Sequence, residues 1–166
     1  MNHTPPLVPT ERGDWRPTTD DHYTPAWIFE AMGLEFDVDV AAPPGGVPWI
    51  PAKRYHTIHD DGLAHDWHGL VWCNPPFRTV SPWARRFNQH PDGVMLAPTS
   101  KAAWLSESFA AADIVLIPRQ PIDFLDPDGV NTSVFVMTIL FGRGTGTPGV
   151  ERLAPYGTLV SPRKVA

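Results

Sequence analysis

The apolar and polar positions of the 166-residue chain fall into short blocks that switch repeatedly between strand-like and helix-like spacing. Leu70-Val71-Trp72-Cys73 is an unbroken apolar run of strand length, and Asn74-Pro75-Pro76 ends it because neither proline can donate to a sheet ladder. Ahead of it, Phe36-Asp37-Val38-Asp39-Val40-Ala41-Ala42 alternates in the manner of a strand. Behind it, 94–98 and 113–117 read as further strands, 132–141 is a long β-branched run with the strongest strand signal in the chain, and 158–160 is a short strand. Residues 49–55 look like a loop leading to a short segment.

Helical stretches lie between these blocks. Residues 26–32 form a short helix, with Thr24 suited to the N-cap, Pro25 to the first helical position and Gly33 to the stop. Ser81 and Pro82 repeat that signal ahead of Trp83, Arg85, Arg86 and Phe87, and 100–112 is helical in composition. Strands alternating with helices predict an α/β fold, a mostly parallel sheet with helices on both faces. Residues 1–21, rich in proline, threonine and charge, are expected to form a mobile N-terminal arm in which Trp15 alone docks on the domain, leaving 22–166 as that domain.

Composition narrows the class. Hydrophobic residues at 42% and charged residues at 19% describe a globular chain, and 20 prolines against 13 glycines make its connections stiff. No apolar run reaches membrane-spanning length and the first residues lack a signal-peptide pattern, so a cytoplasmic location is expected. Cys73 is the only cysteine, which excludes an internal disulfide and a cysteine-based zinc site. A net charge of −5 speaks against strong sequence-independent adhesion to nucleic acid. A local basic patch remains open, because Arg78, Arg85, Arg86, Lys101 and Arg119 would fall near one edge of such a sheet; scattered solvated charges are the plainer alternative.

Four stretches carry candidate chemistry. Each proline after Asn74 fixes its own φ and keeps the residue before it out of the helical region, so Asn74-Pro75-Pro76-Phe77 holds oxygen acceptors rigidly at a strand's end, an arrangement suited to an amine. Asp37 and Asp39 stand where a buried strand would carry apolar side chains; burying an unpaired carboxylate is costly, so at least one needs an edge or a partner. Ala41, Ala42 and a Pro-Gly loop follow, small residues that let a ligand approach the backbone, although no Gly-x-Gly-x-x-Gly fingerprint is present. The amides at the Thr24-Pro25 helix start would attract a ligand carboxylate. Finally, residues 56–68 hold four histidines and three aspartates, types that ligate metals but at spacings matching no known ligand pattern. They read better as a solvated loop, or as a strand tip that presents Asp60 or Asp61 to a ligand while Leu63 and Trp67 pack inward.

Taken in order, Thr24-Pro25-Ala26-Trp27-Ile28-Phe29, Phe36–Ala42, Asp60-Asp61-Gly62-Leu63 with Trp67, and Trp72-Cys73-Asn74-Pro75-Pro76-Phe77 resemble the phage-type DNA N6-adenine methyltransferases, over roughly residues 15–141. The resemblance implies a Rossmann-like S-adenosylmethionine-dependent methyltransferase fold, DNA as partner, a flipped-out adenine as target, and the host cytoplasm as location if a phage encodes the chain. It implies that Asn74, Pro75, Pro76 and Phe77 hold the target base, and that Thr24, Pro25, Asp37, Asp39 and Ala41 hold S-adenosylmethionine with Asp60 or Asp61 near its adenine. No metal is implied. Asn-Pro-Pro-aromatic also resembles the enzymes that methylate a protein glutamine at N5, and a non-catalytic nucleic-acid-binding module on the same fold is a third reading. Arg119 and Ile122-Asp123-Phe124 match a family stretch less distinctly.

Overall fold

The computed structural model of the protein describes residues 22–131 and 136–162; the expected arm, with Trp15, lies outside the described residues. Among the described residues seven strands form one sheet: β1 (Phe36–Ala42), β2 (Ala52–Thr57), β3 (Val71–Cys73), β4 (Gly93–Pro98), β5 (Ile114–Pro118), β6 (Thr138–Arg143) and β7 (Gly157–Val160). Their order across the sheet is β2-β1-β3-β4-β6-β5-β7. Among the described residues four α-helices accompany them: α1 (Ala26–Met32), α2 (Val80–Gln89), α3 (Ala103–Ala111) and α4 (Thr147–Glu151).

Period-two alternation divides the apolar side chains between two layers. Trp72, Val94, Leu96, Leu116 and Leu140 pack with Ile28 and Phe29 of α1 and Val150 of α4. Their neighbours Val71, Cys73, Met95, Val115 and Phe141 pack on the other side with Ala84 and Phe87 of α2 and Trp104 of α3. A sheet covered on both faces accounts for strands that read as unbroken apolar runs. Trp72 is the hinge of the first layer, its ring 4.7 Å from Phe29 and 5.7 Å from Phe36.

The sheet is mixed rather than mostly parallel. β2, β1, β3 and β4 pair in parallel, but β6 runs antiparallel between β4 and β5, and β7 antiparallel to β5. Strands β1 to β5 therefore all point one way while half the pairings are antiparallel. Strand direction depends on where a chain returns, which apolar patterning does not encode.

Other expectations shift locally. Residues 132–135 lie outside the described residues and β6 starts only at Thr138. Pro25, not Thr24, is the N-cap of α1, without a side-chain bond, because Thr24 is buried and its hydroxyl meets Asn74 instead. A 3₁₀ turn over Phe77–Thr79 leads into α2 from Val80, which places Ser81 and Pro82 inside its first turn. Gly33 does stop α1, with φ of 61°.

Candidate active site

The chain leaves β1 toward β2 on one side and returns to β3 on the other, so the carboxyl ends of β1 and β3 form a topological switch point, where open α/β sheets bind ligands. A cavity of about 550 Å³ lies there, a size typical of small-molecule sites. Asp39, Ala41 and Ala42 reach it from the end of β1, Thr57 from β2, and Asn74 and Pro76 from the loop after β3.

Asn74 is held in one orientation. Its Nδ2 donates to the His22 carbonyl oxygen at 2.7 Å and, at 3.4 Å, to Thr24 Oγ1. A carbonyl can only accept, so the amide nitrogen must face His22. Oδ1 then points elsewhere, is buried, and has no partner among the described residues. An acceptor left in that condition costs free energy until a donor arrives. Trp72, two residues earlier on the same sheet face, also lines the cavity with a buried Nε1–H that has no partner among the described residues.

Asp39 sits beside Trp72 in the parallel register and is 4% exposed. One oxygen accepts from the Ala41 N–H at 3.2 Å. Burial pushes its carboxyl up to about 7, partly offset by that bond. A group so placed changes charge near neutral pH and responds strongly to a cation entering the cavity. Burial, then the Asp39 charge, also push the Cys73 thiol well up, so Cys73 is an inert core residue.

Asp37 differs. It does not line the cavity; its carboxylate accepts from the Leu70 N–H at 2.8 Å and from Lys53 Nζ at 3.0 Å. Those bonds, the Leu70 amide foremost, hold it below the usual carboxylate range. Asp37 thus ties β2 and β3 to β1.

The loop after β2 makes the same division. Asp60 folds back to accept from the Thr57 N–H and hydroxyl at 2.8 and 2.9 Å, and does not line the cavity. Asp61 does line it. At φ of 53° Asp61 is the one non-glycine with positive φ among the described residues, a conformation Asp tolerates at some cost and one that clusters at functional sites. Gly62 sets its position: a Cβ there would lie 2.0 Å from the Val40 carbonyl oxygen, so only glycine lets this loop rest on the end of β1. The Trp67 indole donates to the Gly62 carbonyl at 2.8 Å and pins the loop from beneath.

Of the remaining predicted residues, Pro25, Pro75 and Phe77 do not line the cavity. Phe77 packs its ring 5.1 Å from His22 and edge-on to Phe124 at 5.8 Å. Sequence reasoning missed His22, Trp72 and Trp83 on the cavity wall; for Trp72 the signal was present, since period two puts it on the face of Asn74. Among the described residues no three metal-ligating side chains converge. His56 and His65 instead stack at 4.6 Å and 9°, and burial, then the His65 ring, lower the His56 pKa. No helix among the described residues is long and apolar enough to cross a membrane.

A model of the DNA N-6-adenine-methyltransferase (Dam) family matches residues 14–135. The chain belongs to this family. The matched span covers the Thr24 turn, β1, the Asp61 loop, β3 and Asn74, so the Dam-family segment contains the cavity elements just described. No curated protein matches the chain in sequence.

Proposed function

We propose that the protein is a DNA adenine N6-methyltransferase that uses S-adenosylmethionine, with the donor in the cavity over β1 and the target amine at Asn74. The observation that carries this reading is the fixed Asn74 amide, whose buried Oδ1 has no donor among the described residues and sits beside a cavity floored by a buried carboxylate.

The residues present fit the donor. S-adenosylmethionine is cationic at its ammonium and sulfonium and, when bound, supplies an electrophilic methyl group. Asp39 offers a counter-charge shielded from water, Asp61 offers acceptors for hydroxyl or amino groups, and Ala41 and Ala42 leave room for close approach. Asp37 and Asp60 support these positions through Lys53, Leu70 and Thr57. Pro25 starts the helix that follows Thr24, and Thr24 helps to hold Asn74.

An exocyclic adenine amine is a poor nucleophile because its lone pair is delocalised into the ring. Asn74 Oδ1 and the Pro75 carbonyl, accepting its two hydrogens, favour a pyramidal nitrogen with the lone pair aimed at the methyl carbon. Pro75 and Pro76 keep those acceptors from swinging away. As the N–C bond forms, the C–S bond breaks, and N6 afterwards loses a proton to water. Adenine must leave the duplex to reach Asn74, at a cost of a few kcal/mol. Stacking at the aromatic group of His22 with Phe77 behind it returns about 1–3 kcal/mol.

The test is transfer of a labelled methyl group from S-adenosylmethionine to DNA and, separately, to protein extract, with the product nucleoside identified. N6-methyladenine is expected. Label in protein glutamine, or no transfer to either substrate, would overturn the assignment.

A further inference from the structure

A second cavity, of about 280 Å³, opens on the same edge of the sheet, lined by Trp27, Arg119, Gln120, Asp123 and Tyr156 among others. The topology places it there. β5 runs in the direction of β1 and β3, so Pro118 and Arg119 emerge at the carboxyl edge, and β7 starts beside them in antiparallel register. The turn into α1 links the two cavities: Thr24, ahead of the helix, lines the first and Trp27, in its first turn, lines the second.

The wall is unusual for a water-facing surface. Trp27 is 39% and Tyr156 45% exposed, their ring centres 4.7 Å apart at a tilt of 50°, which leaves part of each ring uncovered. The Arg119 backbone N–H donates to the Tyr156 carbonyl at 2.9 Å, and its guanidinium reaches the Pro155 carbonyl at 3.3 Å. Arg119 makes no ion pair with the described residues, Asp123 on the rim included. Two partly uncovered rings, a guanidinium with no ion pair among the described residues, and the acceptor and donor groups of Gln120 and Asp123 match the three parts of a nucleotide: π-face, phosphate and base edge.

We infer that the Trp27–Tyr156–Arg119 cavity takes an unpaired nucleobase and its phosphate from the DNA strand carrying the target adenine, next to the nucleotide held at Asn74. This rests on the reading of the protein as a DNA adenine methyltransferase and adds where the strand runs. It also gives Arg119 a use despite the chain's net negative charge: the phosphate contact is local and aromatic stacking supplies the rest.

The experiment compares wild type with Trp27→Ala, Tyr156→Ala, Arg119→Ala and Trp27→Phe. It measures binding of a labelled DNA oligonucleotide by anisotropy over a salt series, and S-adenosylmethionine affinity by calorimetry. Loss of either ring should weaken DNA binding about five-fold or more, Trp27→Phe should recover most of it, and Arg119→Ala should lower the salt slope by about 1. Donor affinity should stay within two-fold of wild type throughout, which also certifies folding. DNA binding within two-fold of wild type in both ring variants, with an unchanged salt slope, would overturn the inference while leaving the proposed function standing. Ring variants that bind DNA normally but lose self-association would also overturn it, and mark the cavity as a contact between copies of the chain. Wild-type protein that binds no DNA would overturn both.

Discussion

Two aspartates two residues apart in β1 are treated in opposite ways. Toward its start, Asp37 has an amide and an ammonium as partners, and its carboxylate is stabilised. Further along, Asp39 has one amide, no cation among the described residues, and a carboxyl pushed up to about 7 by burial. The loop after β2 repeats the division, with Asp60 satisfied by Thr57 and Asp61 strained and facing the cavity. Carboxylates that tie strands and turns together are satisfied within the fold, whereas at the cavity Asp39 keeps one amide and Asn74 Oδ1 has no partner among the described residues, a shortage that a ligand can relieve.

The largest expected effect is at the acceptor furthest from any fold-building role. Asn74→Ala should cut methyl transfer by on the order of 10²–10³-fold, the usual scale for losing one polarising hydrogen bond at a reacting centre, while donor affinity stays within a few-fold. Turnover near wild type would remove Asn74 from the chemistry.

Stability should separate the two aspartates of β1 next. The folded-state pKa of Asp39 lies above its unfolded value of 3.8, so the native state binds the extra proton and stability falls as pH rises from about 4 to about 7. Asp39→Asn removes that penalty, on the order of 4 kcal/mol at full ionisation. Denaturation midpoints should show it more stable than wild type at pH 8 and equal to it at pH 4. Asp37 has the opposite sign: its contribution is present above 3.8 and is lost as pH falls through its lowered value. Asp37→Asn should therefore be less stable than wild type at pH 8. Matching pH profiles for the two variants would break the comparison.

A smaller effect follows from the same proton. A cationic donor holds Asp39 ionised, so below pH 7 binding must release a proton. Affinity for S-adenosylmethionine should rise with pH up to about 7 and flatten above it; a flat profile from pH 5.5 to 8 would contradict an ionised Asp39 in the complex. The smallest contrast is in the loop. Asp61→Asn, which keeps a residue tolerant of positive φ, should weaken donor binding several-fold in a titration. Asp60→Asn should leave it within two-fold.

Much of this architecture was legible in the sequence. The bounds of β1 follow from its alternation, the stop of α1 from Gly33, and the end of β3 from Pro75, because each signal is local. The direction of β6 was not legible, since it depends on a long return of the chain, and α4 was hidden by the helix-poor residues Thr147, Pro148 and Gly149. Of the candidates picked from the sequence, Thr24, Asp39, Ala41, Asp61, Asn74 and Pro76 line the cavity, while Pro25, Asp37, Asp60, Pro75 and Phe77 do not, and that division was not legible. Asp37 parts from Asp39 because Lys53 of β2 and the Leu70 amide just ahead of β3 reach it, and Asp60 from Asp61 because Thr57 claims Asp60 while Gly62 seats the loop on Val40.

The central claim is that Asp39, and not Asp37, faces the proposed methyl donor. Calorimetric titration of S-adenosylmethionine into Asp39→Asn and Asp37→Asn at pH 8, side by side, tests it most directly. A loss of about ten-fold or more in affinity for Asp39→Asn, with Asp37→Asn close to wild type, is the result expected; equal losses, or a larger loss in Asp37→Asn, would contradict it.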